Sequence, residues 1–241
     1  MISLRRSPPR HADRRRKQEL WTSMDPDEEG QGALERLNED WLPPGAGFAR
    51  QLHRDAELLT WVREGALAWE DSLGRSGLLQ AGEFQRMTVR RSLRHTETNA
   101  SRSMGAHAFQ LWLRPTPPAP ELDREQKRFS AAQRRGVLCV IASPDGRGGS
   151  LRLHQDALVY SALLAPGQHV VHELGSGRRS WLHLVQGRVT LCGEHLLSTG
   201  DGASLVEERV VSLTADEDSE ILLLDVPAFI LMESLKTMSA H

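Results

Sequence analysis

The chain has 241 residues, of which 39% are hydrophobic and 26% charged, and its formal net charge is -2. It can therefore bury a sizeable core in one large or two small domains, while its charge provides no field that would attract nucleic acid or a membrane surface. The N-terminus has no long apolar run, so we expect neither a signal peptide nor a membrane span, and a cytoplasmic location.

Residues 1–33 form a charged segment that we predict to be partly flexible. A basic run at residues 10–17 is followed by an acidic run at residues 25–30, with few apolar residues between them. Charge runs of this kind are usually solvated, and a nucleic-acid-binding arm is the weaker alternative. Residues 1–4 could still add an edge strand to a sheet.

Short apolar-rich runs with the lengths of strands make up most of the first half. Residues 34–41 alone have a weakly helical spacing, which Pro43 and Pro44 would end within a few residues. Turn residues then separate the runs at regular intervals, and this pattern predicts an antiparallel sandwich or barrel. The strands predicted in this half cover residues 57–62, 66–70, 76–80 and 107–114.

A proline-rich connector at residues 115–120 is the predicted boundary between two domains. We place one domain over residues 34–120 and the second over residues 121–241. The second half repeats the first in outline, with Trp61 and Trp181 at corresponding places before a glycine turn, and this indicates a duplicated domain. Its predicted strands cover residues 137–142, 157–164, 210–213 and 220–226, and residues 228–238 form a closing helix or a last strand.

The cysteines give no indication of a disulfide or a metal cluster. The chain has 2 of them, Cys139 and Cys192, without the paired spacing of metal ligands. We interpret both as reduced packing residues, because a free cysteine usually behaves as a small buried hydrophobe.

The clearest chemical pattern in the chain joins His53 to His95-Thr96-Glu97. Both segments are strand-like, and residues two apart in a strand point to the same face of the sheet. If the two strands are neighbours, two imidazoles and a carboxylate converge, which is a ligand set that suits non-haem iron(II). The alternative is that these are scattered polar residues on a solvated sheet face, since such spacings are common.

Several short motifs follow one another along the chain in a specific order. They are Asn38-Glu39-Asp40, LHRDAELLTWVREG at residues 52–65, Asp71-Ser72-Leu73-Gly74, AGEFQRM at residues 81–87, LRHTE at residues 93–97 and Phe109-Gln110-Leu111-Trp112. Together they resemble the pirin family of bicupins, which includes quercetinase-like bacterial members. The resemblance implies an all-β chain of two cupin (jelly-roll) β-barrels with few short helices. It also implies one metal, usually iron(II), in the N-terminal barrel, and none in the C-terminal barrel.

Residue by residue, the resemblance implies that His53, His95 and Glu97 are metal ligands. Gln51 stands where the family has a further histidine, and an amide oxygen is a much poorer ligand for a divalent transition metal. The metal is therefore either held by the remaining three residues, with Gln51 or water completing the shell, or absent. Glu97 is also the candidate catalytic residue, as the group that takes a proton from a substrate hydroxyl.

A second departure from the family is Val89-Arg90-Arg91-Ser92, which replaces a glycine-containing turn before His95. Its two cations would oppose a divalent metal if they pointed inward, or attract an anionic substrate if they lined the mouth of the site.

The remaining acidic and histidine residues give weaker signals. Glu57 lies where many cupins have a glutamate ligand, and is a minor candidate. We interpret His107 as a strand residue with a hydrogen-bond partner, and His154 carries no signal. In the second half we expect no metal site, since the candidates there match no ligand motif. These are His169, His172, Glu173, His183 and His195.

Two functions stay open at this point, so whether the protein is an enzyme is undecided. The first is an iron(II)-dependent oxidoreductase of the quercetin 2,3-dioxygenase type that acts on a flavonol-like small molecule. The second is a non-catalytic, metal-poor protein that acts as a binding or regulatory module, with a protein partner. Gln51 motivates the second hypothesis directly, because it weakens the metal site on which the first depends.

Overall fold

The computed structural model describes residues 1–7, 19–24, 33–48, 51–116 and 118–228, and nearly every regular element in these ranges is a β-strand. The strands up to Arg128 are β1 (Ile2–Arg5), β2 (Glu19–Met24), β3 (Leu34–Leu42), β4 (Gln51–His53), β5 (Ala56–Glu64), β6 (Ala66–Asp71), β7 (Ser76–Gln80), β8 (Glu83–Val89), β9 (Leu93–Asn99), β10 (Ala106–Leu113) and β11 (Leu122–Arg128).

The later strands follow a short helix, α1 (Ala131–Arg134), and a 3-10 turn lies at Arg147–Gly149. No helix of the described ranges has the length and apolar character needed to cross a membrane. The strands are β12 (Cys139–Ser143), β13 (Leu151–Arg152), β14 (Leu158–Leu164), β15 (His169–Glu173), β16 (Arg178–Gln186), β17 (Arg188–Leu191), β18 (His195–Ser198), β19 (Gly202–Val206), β20 (Val210–Ala215) and β21 (Ser219–Pro227).

These strands form two barrels, each built from a large and a small sheet. The first barrel has a six-stranded sheet in the order β11-β8-β5-β10-β3-β2 and a four-stranded sheet in the order β4-β9-β6-β7. The second has a seven-stranded sheet in the order β1-β19-β16-β21-β14-β12-β13 and a four-stranded sheet in the order β15-β20-β17-β18. The all-β, two-barrel architecture predicted from the sequence is confirmed.

The structure differs from the prediction at two places in the chain, and a third prediction falls outside the described residues. Residues 34–41 are a strand, since β3 pairs with both β2 and β10. The boundary predicted at residue 120 comes one strand too early, because β11 pairs with β8 and extends the six-stranded sheet to Arg128. The closing element predicted over residues 228–238 lies outside the described residues, apart from Ala228.

The predicted edge strand near the N-terminus is confirmed, and it lies on the second barrel. β1 pairs with β19 over its whole length, from Ile2 opposite Leu205 to Arg5 opposite Gly202. Since β2 is in the first barrel, the N-terminal segment contributes one strand to each barrel. Both cysteines are free and partly buried, in agreement with the sequence interpretation.

The two large sheets pack against each other, and strand alternation decides which residues face this interface. On β5, Leu59 and Trp61 belong to a core cluster shared with Ile141 and Trp181 of the second barrel. Leu58 and Val62 point the other way, into smaller clusters of the first barrel. The polar residues between these smaller clusters are therefore inside the first barrel, where the candidate site lies.

Candidate metal centre

The four predicted ligands lie on two neighbouring strands of the first barrel. β4 and β9 are antiparallel, with Gln51 opposite His95 and His53 opposite Leu93. Directly opposed residues share a face, as do residues two apart in one strand. The ring centroids of His53 and His95 are 4.5 Å apart, and Nε2 of His95 is 3.4 Å from Oε1 of Glu97. The structure thus places the four predicted residues on one face of two paired strands.

Several polar atoms of this group are buried and have no hydrogen-bond partner. They are both ring nitrogens of His53, Nδ1 of His95 and the amide oxygen of Gln51. Buried polar atoms in proteins are normally paired, so such a group needs an explanation. Two imidazoles, a carboxylate and an amide oxygen have the donor chemistry of a divalent transition-metal site, and a metal there would supply the missing partners.

The side chains of the four predicted ligands do not converge on a single point. Among the described residues, no group of three or more His, Cys, Asp or Glu side chains stands close enough together to hold an ion. One cause is the anchoring of Glu97, whose Oε2 accepts a hydrogen bond from the Gln110 amide. The donor atoms are therefore of the types that bind a divalent metal, but the side chains have to rotate before they can reach one ion.

Glu97 receives its orientation from the large sheet across the barrel. Besides Gln110 on β10, the hydroxyl of Thr60 on β5 lies 3.5 Å from its Oε1. Neither residue belongs to the ligand set predicted from the sequence. The available signal was a polar residue in the middle of two apolar strands, at positions that alternation places toward the barrel interior.

His53 is held in its neutral form. Burial lowers its pKa to about 3, and the nearby His95 and Arg124 act in the same direction. Its ring also stacks on Trp112, with the centroids 4.8 Å apart. Because neutral imidazole is the form that binds metals, His53 is available as a ligand throughout the neutral and mildly acidic range.

Asp40 is a further buried carboxyl group of the barrel interior that sequence analysis did not assign a role. It lies on β3 opposite Ala108, and neither of its oxygens has a hydrogen-bond partner. Burial raises the pKa of Asp40 to about 8, and the charges of Glu97 and Glu39 add to the shift. Asp40 therefore carries a proton at neutral pH, which avoids an unpaired buried anion beside Glu97.

Replacing Asp40 by Asn should change how stability depends on pH. The folded pKa of about 8 exceeds the value of about 3.9 expected in the unfolded chain, so the folded state binds the extra proton between these values. The free energy of unfolding of the wild type therefore falls by about 1.4 kcal/mol per pH unit as pH rises between these two pKa values. Urea unfolding of metal-free protein from pH 4 to 8 should show Asp40→Asn gaining stability relative to wild type.

Asp145→Asn is the matched control for this experiment. Asp145 is solvent-exposed, and its hydrogen bonds with Arg147 and Ser143 lower its pKa to about 2. Asp145 is fully ionised above about pH 5 in the folded chain and in the unfolded chain, where the pKa of Asp is about 3.9, so the difference from wild type should stay constant between about pH 5 and pH 8. A constant difference for Asp40→Asn over the same range would contradict the raised pKa.

Glu57, the minor candidate, is not part of the centre. Its carboxylate accepts hydrogen bonds from the Thr88 hydroxyl at 2.8 Å and from the His154 backbone N–H at 2.9 Å. The physical reason is alternation, since Glu57 shares the face of β5 that packs against the second barrel. His107 is a hydrogen-bonded strand residue as predicted, with Nε2 2.8 Å from Oε1 of Glu39.

The cations of the loop before β9 do not line the candidate centre. The Arg91 side chain is 81% exposed and pairs with Glu121 at 2.9 Å. Arg90 lies 3.4 Å from Asp55. Both therefore pair with surface carboxylates, and the cation that does face the interior is Arg124, on β11.

The candidate residues of the second barrel are dispersed. His169 lies 2.8 Å from the Ser212 hydroxyl, His172 lies 2.8 Å from the Asp225 carboxylate, and His183 lies 3.4 Å from Glu39 of the first barrel. Glu173 is exposed, and His195 is at the start of β18. These three histidines thus contact three different residues.

Comparison with known proteins gives matches along most of the chain. The family model described as Pirin matches residues 3–113, and the model described as Quercetinase C-terminal cupin domain matches residues 140–226. A quercetin 2,3-dioxygenase of Escherichia coli K12 is 39% identical over 203 residues, which cover 84% of this chain and 86% of that protein. A pirin-like protein of Caulobacter vibrioides is 33% identical over 202 residues, covering 83% and 86%.

Solved structures match over nearly the full length. The crystal structure of YhhW from Escherichia coli has a TM-score of 0.83 and 37% identity, and covers 94% of this chain and 98% of its own. The structure of bacterial pirin YhhW in complex with nickel(II) has a TM-score of 0.82 and 35% identity, and covers 94% and 99%.

Proposed function

The chain belongs to the pirin family, and we propose on that basis that its first barrel binds a divalent metal and acts as a quercetin 2,3-dioxygenase. The observation that carries the proposal is the set of buried donor atoms of His53, His95 and Gln51 that have no hydrogen-bond partner. The names of its relatives support the activity, and the nickel(II) complex of a structural relative supports a metal. We propose iron(II) as that metal and a flavonol-like molecule as the substrate.

In this proposal His53, His95 and Glu97 hold the metal, with Gln51 as a weak fourth ligand. A bound divalent metal supplies Lewis acidity, which lowers the pKa of a coordinated substrate hydroxyl. Neutral His53 donates a lone pair without first losing a proton, because burial has already lowered its pKa to about 3. Gln110 holds Oε2 of Glu97. Oε1, which lies 3.5 Å from the Thr60 hydroxyl, would accept the hydroxyl proton of the substrate.

Metal analysis and oxygen uptake test the proposal directly. Protein purified without chelator or affinity tag should contain nearly one iron per chain, and should consume oxygen when quercetin is added. A site that is empty, and that stays empty when iron(II) is added under anaerobic conditions, would contradict it.

A metal-poor binding or regulatory module is the second candidate function, and Gln51 is the observation that favours it. With a neutral amide in place of an imidazole, the affinity for metal falls. The barrel would then bind a small molecule or a protein partner without catalysing a reaction. The same metal analysis separates the two candidates, and the cytoplasmic location expected from the sequence stays a prediction in both.

A further inference from the structure

Arg124 places a buried positive charge beside the candidate metal centre. On β11 it follows Leu122 by two positions, and Leu122 packs on the apolar cluster of the first barrel that contains Met87. Arg124 therefore points toward the same interior. Its side chain is only 13% exposed, and its guanidinium carbon lies 3.4 Å from the ring centroid of Trp69.

The contacts of the guanidinium group leave two of its nitrogens unsatisfied. Nη2 lies 3.0 Å from Sδ of Met87 and 3.9 Å from Oδ2 of Asp71. Nε and Nη1 are buried and have no hydrogen-bond partner. Burial of a cation without hydrogen-bond acceptors is costly. Burial lowers the pKa of Arg124 to about 10, so the group is still charged at neutral pH.

Trp69 links Arg124 to the proposed ligands. It lies on β6 directly opposite Glu97 of β9, so the two side chains share one face of the small sheet. The absence of a side chain at Gly77, on the adjacent strand, leaves room for the indole, since a Cβ there would come within 2.6 Å of the ring.

We propose that Arg124 is an anion-binding residue of this centre and that its ligand is an organic acid, bound through a carboxylate. A carboxylate supplies the acceptors that Nε and Nη1 lack, and charge-assisted hydrogen bonds of this kind are among the strongest in proteins. Trp69 contacts the face of the guanidinium by a cation–π interaction and supplies no acceptor for those donors, since the indole N–H is itself only a donor. This inference goes beyond the proposed function, since a flavonol has no carboxylate and the acid is a further ligand of the same barrel.

Titration calorimetry with phenylpyruvate and its neutral methyl ester tests the inference. Phenylpyruvate carries a carboxylate, and its methyl ester keeps the same acyl skeleton without the charge. The decisive measurement uses the metal-free, chelator-treated protein, so that binding of the carboxylate to a metal does not contribute. We expect wild type to bind the acid about 10- to 100-fold more tightly than the ester, as for a hydrogen-bonded charge.

Variants identify the cation responsible. Arg124→Met keeps an unbranched side chain and should weaken binding of the acid by the same factor, while binding of the ester changes little. Arg124→Lys keeps the charge and should lie between the two. Arg91→Met is the matched control, because Arg91 is exposed and paired with Glu121, and it should bind the acid like wild type. Thermal unfolding monitors the fold of each variant.

The outcome distinguishes this inference from the proposed function. Equal affinity of wild type for acid and ester overturns it, as does the absence of binding or an Arg124→Met protein that binds the acid like wild type. The first two results need no variant, so a variant that fails to fold leaves the test intact. If metal-free protein prefers the acid but iron is never retained, the anion site stands and the metal-dependent activity fails.

Discussion

Alanine at His95 or Glu97 is expected to remove both the bound metal and the oxygen uptake with quercetin. With Gln51 in place of a histidine, the proposed site has only three strong ligands, so none of them is dispensable. Loss of even an outer-shell partner costs roughly 10- to 100-fold in metal affinity. Loss of a direct ligand from a three-residue set should therefore cost at least about 100-fold, in metal content at limiting iron and in turnover alike.

Matched variants separate this loss from damage to the fold. His169→Ala removes a strand histidine of the second barrel that is exposed and contacts Ser212, and it should leave iron content and oxygen uptake unchanged. Glu97→Gln keeps a group that Gln110 can still contact but removes the negative charge. It should lose activity as Glu97→Ala does, with less loss of stability.

Two results would contradict the metal-centred mechanism. Unchanged turnover in both alanine variants would show that the oxidation, if it occurs, takes place elsewhere in the chain. Iron bound as tightly in the alanine variants as in wild type would move the metal to other residues. Circular dichroism and the thermal unfolding midpoint of each variant establish that the comparison is made between folded proteins.

Much of the fold could be predicted because strand alternation and turn residues are local signals. The runs that became β5, β6, β7 and β10 were identified within two residues of their ends. β11 was missed because an edge strand with the sequence LDREQKR buries few apolar side chains, so it carries little hydrophobic signal. The weak helical spacing of residues 34–41 was overridden by pairing on both sides of β3.

The candidate centre was predictable only in part, for a similar reason. His53, His95 and Glu97 follow a spacing rule within and between adjacent strands. Asp40 and Arg124 reach the same interior from the opposite sheet, and nothing in their own sequence neighbourhoods shows which residues face them there. The orientation of Arg90 and Arg91 likewise depends on surface carboxylates that are close only in the folded chain.

Histidine at position 51 is expected to raise the affinity for metal by at least about tenfold, on the scale of changes in a ligand shell. Gln51 lies directly opposite His95, and its amide oxygen is already buried without a hydrogen-bond partner. An imidazole there would supply the stronger donor from the same strand position. Equilibrium competition with a colorimetric chelator measures the change in affinity, and oxygen uptake with quercetin measures its consequence.

Leu52→His is the control that isolates the effect of position. It introduces the same side chain one residue along β4, where alternation directs it to the outer face and Leu52 is 63% exposed. If both variants change metal affinity alike, the added histidine acts through a surface site, and the ligand role of position 51 is wrong.

The combination of affinity and activity in Gln51→His decides between the two proposed functions. A gain in both would show that the loss of one imidazole is what weakens an otherwise intact dioxygenase. A gain in metal without turnover would point to the other residues of the barrel interior, where Arg124 adds a cation that a neutral flavonol does not need. That result, together with acid binding by metal-free protein, would favour a barrel whose ligand is held chiefly by a guanidinium group and not by a metal.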